Sequence, residues 1–189
     1  MGKIEYIIKE VKKTTREIDF KYHILPVLNN ALKLGKIYKA DLEVIKVAAY
    51  LHDIAQPKDW KKFKSGNIHH IKGAKKARKI LEKLKYKEDF IKKVEHCILA
   101  HRGRTEPNPE TIEAKIINNA DAMSHFDSFF WLFDIFMITD KDIEKSLKRI
   151  KIKLERNIKV KLTLPAAKKI VMPKYKAIIK LIDNTLMYS

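Results

Sequence analysis

Along almost the whole chain apolar residues recur every three or four positions, with no sustained alternation of apolar and polar residues, so its segments can bury one side only as helices. Five glycines in 189 residues leave few places for the tight turns that a meander of strands requires. The pattern predicts an all-α fold. With 46% hydrophobic residues the chain is long enough to form one domain, a helical bundle that buries roughly two-thirds of its unfolded surface.

Turn and cap signals divide the chain. A first helix is expected over Ile4 to about Ile18, and a second from near Tyr22, with Asp19 as its cap and Pro26 within its opening turns, which puts His23 at a helix start. Asp41 is expected to cap a helix whose apolar side carries Val44, Val47, Ala48 and Leu51, with His52 and Asp53 in its last turn before Pro57. After a loop from Gln56 to Gly66, Asn67 can open a helix that sets Gly73, Ala74, Ala77, Ile80, Leu81 and Leu84 on one side. The next helix runs from about Glu88 to His101 and stops at Gly103. Ile112 to Met137 is expected as one bent helix or two, followed by helices near Asp140 to Lys159 and Ala166 to Met187 on either side of Pro165. The expected organisation is a single domain over 1–189, with a core at about 20–127 and basic helices at about 140–187 packed on it.

The formal charge of +18 points to anionic substrates or partners. Between Lys141 and Lys180 fourteen Lys and Arg residues stand against three Asp and Glu, so the basic character belongs mainly to the C-terminal quarter. Ile143, Leu147, Ile150 and Leu154 mark the apolar side of a helix in this stretch. Lys145, Lys148, Arg149, Lys153 and Arg156 fall largely outside it, and are expected to serve solubility and weak anion attraction. The run from Phe129 to Ile138 is interrupted by Asp134 and is shorter than the ~20 residues of a membrane span, so it is expected as core before interface. No Gly-rich phosphate loop is present. A single cysteine, Cys97, and a charged N-terminus lead to the expectation of a reducing, cytoplasmic setting. One glutamine, Gln56, among abundant Lys, Ile and Glu is a bias met in proteins from hot environments.

The chemistry lies in an ordered series: His23, His52-Asp53, His69 or His70, His101 and Asp121, each at a helix end or on a mainly apolar helix. Imidazole and carboxylate groups at core-facing positions are costly unless something pairs with them, and a shared cation does so. Mixed donors without thiolate suit Mn, Fe, Co, Ni or Zn, with Mg also possible.

Val47-Ala-Ala-Tyr-Leu-His-Asp-Ile54 resembles the signature of the HD-domain superfamily of metal-dependent phosphohydrolases, and Asn119-Ala120-Asp121 resembles its terminal Ala-Asp motif. The resemblance implies that His23, His52, Asp53 and Asp121 are the core metal ligands, with His52 and Asp53 central to catalysis. His69-His-Ile-Lys-Gly-Ala74 and Ile98-Leu-Ala-His101 are similar to the extra histidines of six-ligand, two-metal members, in which the aspartate equivalent to Asp53 bridges the ions; bacterial diadenosine tetraphosphate hydrolases are the nearest analogy. His-x-x-x-Gly spacing selects His69, whereas helical periodicity puts His70 on the packed side.

Pro26 stands where many members have Arg, and Ala55-Gln56 replaces a frequent Gly-Lys, leaving Lys58 as a nearby substitute. Arg102, Arg104 and His125 are further candidates for contact with phosphate or substrate. His96 points away from His101 and is expected at the surface. The Gly-Tyr-Pro signature of the cyclic dinucleotide branch and the Glu-Asp motif of alarmone hydrolases are missing. The resemblance implies one or two divalent ions and hydrolysis of a phosphate ester or anhydride in a small, nucleotide-like substrate. Two rivals accompany it: a di-iron oxygenase on the same fold, and a nucleic-acid-binding module on the basic stretch.

Overall fold

The structure, a computed structural model, describes residues 2–58, 68–102 and 107–188. Among the described residues every regular element is helical, as the spacing of apolar residues predicts. Helix α1 spans Lys3–Thr14 and ends at Thr15 in extended backbone. The chain then forms one rod from α2, Glu17–Asp19, through a π turn, Phe20–Ile24, into α3, Leu25–Tyr38. The expected boundary between the first two helices is therefore misplaced, and Asp19 is not a cap. Its carboxylate accepts from Arg16 Nε and Nη2 at 2.7 and 2.6 Å and from Trp131 Nε1 at 2.9 Å. Pro26 has no N–H to give to the preceding turn, and its ring crowds the carbonyl four residues back. The wider π turn sits where that crowding would fall, and it carries His23.

Helix α4 spans Leu42–Leu51 and starts at Asp41, which accepts from the N–H groups of Glu43 and Val44 at 3.0 and 3.2 Å, as its cap signal predicts. His52 and Asp53 follow the helix directly, one step beyond the expected last turn. Helix α5, His69–Lys83, packs against α6, Glu88–Ala100. A side chain at Gly73 would lie 3.5 Å from Ile98 Cγ2 and 3.7 Å from the carbonyl of His52, so the small face of α5 lets it approach the end of α4. The expected cap Asn67 and stop Gly103 lie outside the described residues.

Helix α7, Ile112–Asp127, is central: α3, α4, α6 and α10 (Pro165–Leu186) all pack on it. A break at Ser128 separates it from α8, Phe129–Asp140, which resolves the expected Ile112 to Met137 span into two helices. Helix α9, Ile143–Arg156, buries Leu147, Ile150 and Leu154 and runs into a second π turn, Asn157–Lys161. Among the described residues no helix is long and apolar enough to cross a membrane.

Asn119, fully buried on α7, ties the C-terminal segment to the core. Its Nδ2 donates to the Lys115 carbonyl at 2.8 Å and to Thr163 Oγ1 at 3.0 Å, and its Oδ1 accepts from Leu164 N–H at 3.1 Å. Asn119→Ala leaves the buried Leu164 N–H without its acceptor, an expected loss of about 1–3 kcal/mol in urea unfolding. A variant as stable as the parent would show that this link contributes nothing.

Candidate metal centre

The ends of two helices orient two histidines by the same device. Carbonyls in the last turn of a helix have no intrahelical donor. His52, just after α4, gives its Nδ1–H to the Ala49 carbonyl at 2.8 Å, and His101, just after α6, gives its Nδ1–H to the Ile98 carbonyl at 2.6 Å. Asn118 Nδ2 fixes the same turn through the His101 carbonyl at 2.9 Å. His23 is set by α7: Ser124 Oγ donates to the Asp121 carbonyl at 2.7 Å, which leaves that oxygen to accept from His23 Nδ1–H at 3.0 Å. In the neutral rings each Nε2 of His23, His52 and His101 then carries a lone pair.

These nitrogens converge on Asp53 in two sets. Oδ2 lies 3.3 Å from His23 Nε2 and 3.5 Å from His52 Nε2, while Oδ1 lies 3.3 Å from His69 Nε2 and 3.5 Å from His101 Nε2. His23 and His52 are 3.1 Å apart at Nε2, and His69 and His101 are 3.4 Å apart. Asp121 Oδ1 completes the first set, 3.6 Å from His23 Nε2. The donors fall into two groups able to hold an ion, His23 with His52 and Asp121, and Asp53 with His69 and His101. Lone pairs face lone pairs in the first group and at His101 in the second, and Asp53 Oδ1 is buried without a hydrogen-bond partner. That arrangement is costly without a cation and fits one or two divalent ions bound by oxygen and imidazole.

The charges around the cluster agree. Burial raises the Asp53 carboxyl, but the imidazoles, His52 foremost, outweigh it and hold the group well below the usual carboxylate range. Asp121 is also held low: burial opposes ionisation, and Lys161, with Nζ 2.5 Å from Oδ2, leads the groups that favour it. Burial lowers His52 to about 4.

Trp131 stacks on His23 with ring centres 4.7 Å apart and planes within 6°. Its indole N–H is anchored on Asp19, which Arg16 holds in turn, so a chain of contacts fixes one ligand from behind. His125 lies 5.8 Å from the His23 ring, and Asn157 Nδ2 meets its Nδ1 at 3.1 Å. Burial first, and Lys153 next, keep His125 well below its ordinary pKa.

A cavity of about 370 Å³ opens on the cluster. Arg102 and His125 line it, as their candidacy for substrate contact requires. His70 is buried on α5 but is absent from both donor groups, so of the two adjacent histidines it is His69 whose Nε2 reaches Asp53. Lys58 is exposed beside a second, narrow opening that it shares with His23, Asp53 and Gln56. Arg104 lies outside the described residues. His96, half-buried and outside the cluster, accepts the Glu110 N–H at 3.2 Å.

Sequence reasoning missed Ser124, Asn157 and Lys161, which carry no motif and reach the site only through packing. The aromatic run of α8 is in the core as expected at Trp131, Leu132 and Ile135, with Phe129, Phe133 and Phe136 packed against it, but Phe130 is 80% exposed, and Trp131, Leu132, Ile135 and Phe136 also line the cavity. Likewise, Arg149, Lys153 and Arg156, expected to be solvated and remote from chemistry, line the cavity; Lys145 and Lys148 do not.

A family model described as HD domain matches residues 20–125. Solved structures of similar fold include a predicted HD superfamily hydrolase from an uncultured Thermotogales bacterium, 21% identical with a TM-score of 0.65, covering 98% of this chain and 92% of that one. Bacillus subtilis YpgQ in complex with ADP is 18% identical with a TM-score of 0.68, covering 96% and 94%. An HD-superfamily hydrolase from Bacillus thuringiensis is 22% identical with a TM-score of 0.64, covering 98% and 97%. No curated protein matches the sequence.

The buried histidines are expected to make the metal-free protein acid-sensitive. His52 and His70, both lowered to about 4 mainly by burial, stay neutral in the folded state at pH values where the unfolded chain takes up protons, near 6.5. In that window the unfolded state binds more protons, so stability falls as pH falls. The depressed carboxylates Asp53 and Asp121 add a loss of the same sign at lower pH. The thermal midpoint of metal-free protein is expected to be level above about pH 7 and to drop by several degrees between about pH 6.5 and 4, at roughly 2–4 °C per kcal/mol. A level midpoint across that window would refute this account of the burial.

Proposed function

The chain belongs to the HD-domain family, and from that premise we propose that it is a metal-dependent hydrolase that cleaves a phosphate ester or anhydride bond in a nucleotide-like substrate. The observation that carries the reading is Asp53, whose two oxygens face two different pairs of imidazole nitrogens. Were two divalent ions bound, His23, His52 and Asp121 would hold one and His69 and His101 the other, with Asp53 beside both groups.

A bound divalent cation lowers the pKa of water from about 15.7 toward 7 and offsets charge that grows on phosphoryl oxygens. The chain's own groups hold the donors rigid: helix-end carbonyls fix His52 and His101, Ser124 fixes His23, and Lys161 holds Asp121. In the reaction water gives up one proton as its oxygen bonds to phosphorus, the bond from phosphorus to the leaving oxygen breaks, and the leaving oxygen takes up one proton, so that no net proton is consumed. Arg102 and His125 line the same cavity, which supports a contact with phosphate in this reading. The nucleotide part of the reading draws on YpgQ, of similar fold and solved with ADP.

Metal analysis followed by a phosphate-release screen over nucleotides with Mn, Fe, Co, Ni, Zn and Mg tests the proposal. Asp53→Ala is expected to lower bound metal and to reduce turnover by more than the roughly 10–100-fold that changes behind a ligand cost. His101→Ala is expected to leave one ion where the parent holds two. Full metal content with undiminished turnover in Asp53→Ala would refute the assignment. Oxygen consumption with a substrate and no phosphate release would instead support the di-iron oxygenase.

A further inference from the structure

Four histidine rings stand in a row at the base of the cavity: His101, His52, His23 and His125, with successive ring centres 5.3, 5.1 and 5.8 Å apart. The first three give Nδ1–H to an oxygen of the protein and turn an Nε2 lone pair toward Asp53. His125 is also buried and lines the same cavity, but it belongs to neither donor group.

The partner of His125 Nδ1 is an amide nitrogen where the other three rings meet an oxygen. Asn157, buried at the start of the second π turn, places its Nδ2 3.1 Å from His125 Nδ1 and 3.5 Å from the Ala122 carbonyl. A carbonyl oxygen only accepts, so it fixes which end of the amide points this way; turned over, the amide would set its own oxygen against that of Ala122. Nδ2 therefore donates, and His125 Nδ1 accepts. In a neutral imidazole the proton is then on Nε2. Among the described residues His125 Nε2 has no hydrogen-bond partner, yet it is not sealed from solvent, and it opens on the cavity that the ring lines.

A protonated Nε2 has no lone pair for an ion and can only donate. We propose that Asn157 is a positioning residue that holds His125 in the tautomer opposite to that of the three ligands, barring it from the ions and aiming an N–H at an oxyanion bound in the cavity. Neighbouring rings of one row thus present opposite polarity, lone pairs toward cations and a donor toward an anion. What occupies the cavity rests on the hydrolase reading, but the tautomer is read without turnover.

The test uses the full chain with ¹⁵N-labelled histidine at about pH 8, above the ordinary imidazole pKa of about 6.5, and records long-range ¹H–¹⁵N spectra of the metal-free and Zn²⁺-loaded protein. The His125 signals, identified by their loss in His125→Gln, are expected to show a protonated Nε2 and a bare Nδ1. His23, His52 and His101 are expected to show the reverse in the metal-free chain. Asn157→Asp, which exchanges the donor for an acceptor, is expected to put a proton on Nδ1 of His125. A parent with its proton on Nδ1 would overturn the proposal, a readout that needs no folded variant of Asn157, and so would an Asn157→Asp protein whose Nδ1 stays bare.

Calorimetry with inorganic phosphate on the Zn²⁺-loaded protein reads the donor itself. His125→Leu is expected to keep the parent's metal content and to bind phosphate roughly tenfold more weakly, the scale of one lost charge-assisted hydrogen bond. His125→Gln, whose side-chain amide restores an N–H, is expected to stay within about threefold of the parent. Metal loss in His125→Leu, phosphate binding equal to the parent's, or a His125→Gln protein as weak as His125→Leu would overturn the donor role. Hydrolysis by a parent with the opposite tautomer would leave the hydrolase reading and remove this proposal. The expected tautomer and phosphate effect, without hydrolysis of any phosphate compound, would do the reverse.

Discussion

The structure around the cavity depends on one buried carboxylate. Asp53 has been taken largely out of water, which alone would raise its pKa strongly or expel the residue from the core. Four imidazole nitrogens, from the π turn before α3 and the ends of α4, α5 and α6, meet at its two oxygens, and a cation held among them would match its charge. Those elements cannot shift independently without leaving the carboxylate unmatched. The helix packing and the metal chemistry are thus one constraint, because the convergence that gathers the donors around the carboxylate also creates the place for a cation.

Helix α7 shows how a buried helix can be polar without being unstable. From Ile116 to Phe126 every residue is buried, yet the run includes Asn118, Asn119, Asp121, Ser124 and His125. Each has a partner on a different element: Asn118 takes the turn after α6, Asn119 the segment before α10, Asp121 Lys161, Ser124 His23, and His125 Asn157. Satisfied in this way, the polar groups specify how the surrounding helices are arranged instead of weakening the core.

Both π turns deliver residues to the site. The first presents His23 and the second presents Asn157 and Lys161. An extra residue in a helical turn shifts the side chains that follow it around the axis, which re-aims them toward a neighbour without ending the helix. The second turn carries the basic charge of α9 onward to Asp121. A stretch that reads as a solvated, lysine-rich tail therefore contributes three elements to the cavity: a cationic stripe, a hydrogen bond to His125 and the partner of a buried carboxylate.

The sequence by itself determined the helical class, the cap at Asp41 and the ordered series of His and Asp residues, because each is written in local spacing: a 3.6-residue period, a carboxylate two and three residues before free N–H groups, and donors at helix ends. Resemblance added which of them act together. The tertiary structure alone decided that His69 and not His70 faces Asp53, since the two are adjacent and only the docking of α5 on α4 and α6 selects one. It decided the place of Asp19, whose partner Trp131 is 112 residues away in sequence. It decided, too, that Arg149, Lys153 and Arg156 line a cavity while Lys145 and Lys148 face solvent. All five lie on one helix with a clear apolar stripe, but periodicity gives only an angle around the axis. Whether that angle meets water or a site depends on which neighbours stand beside the helix, and that is settled by packing between segments distant in sequence.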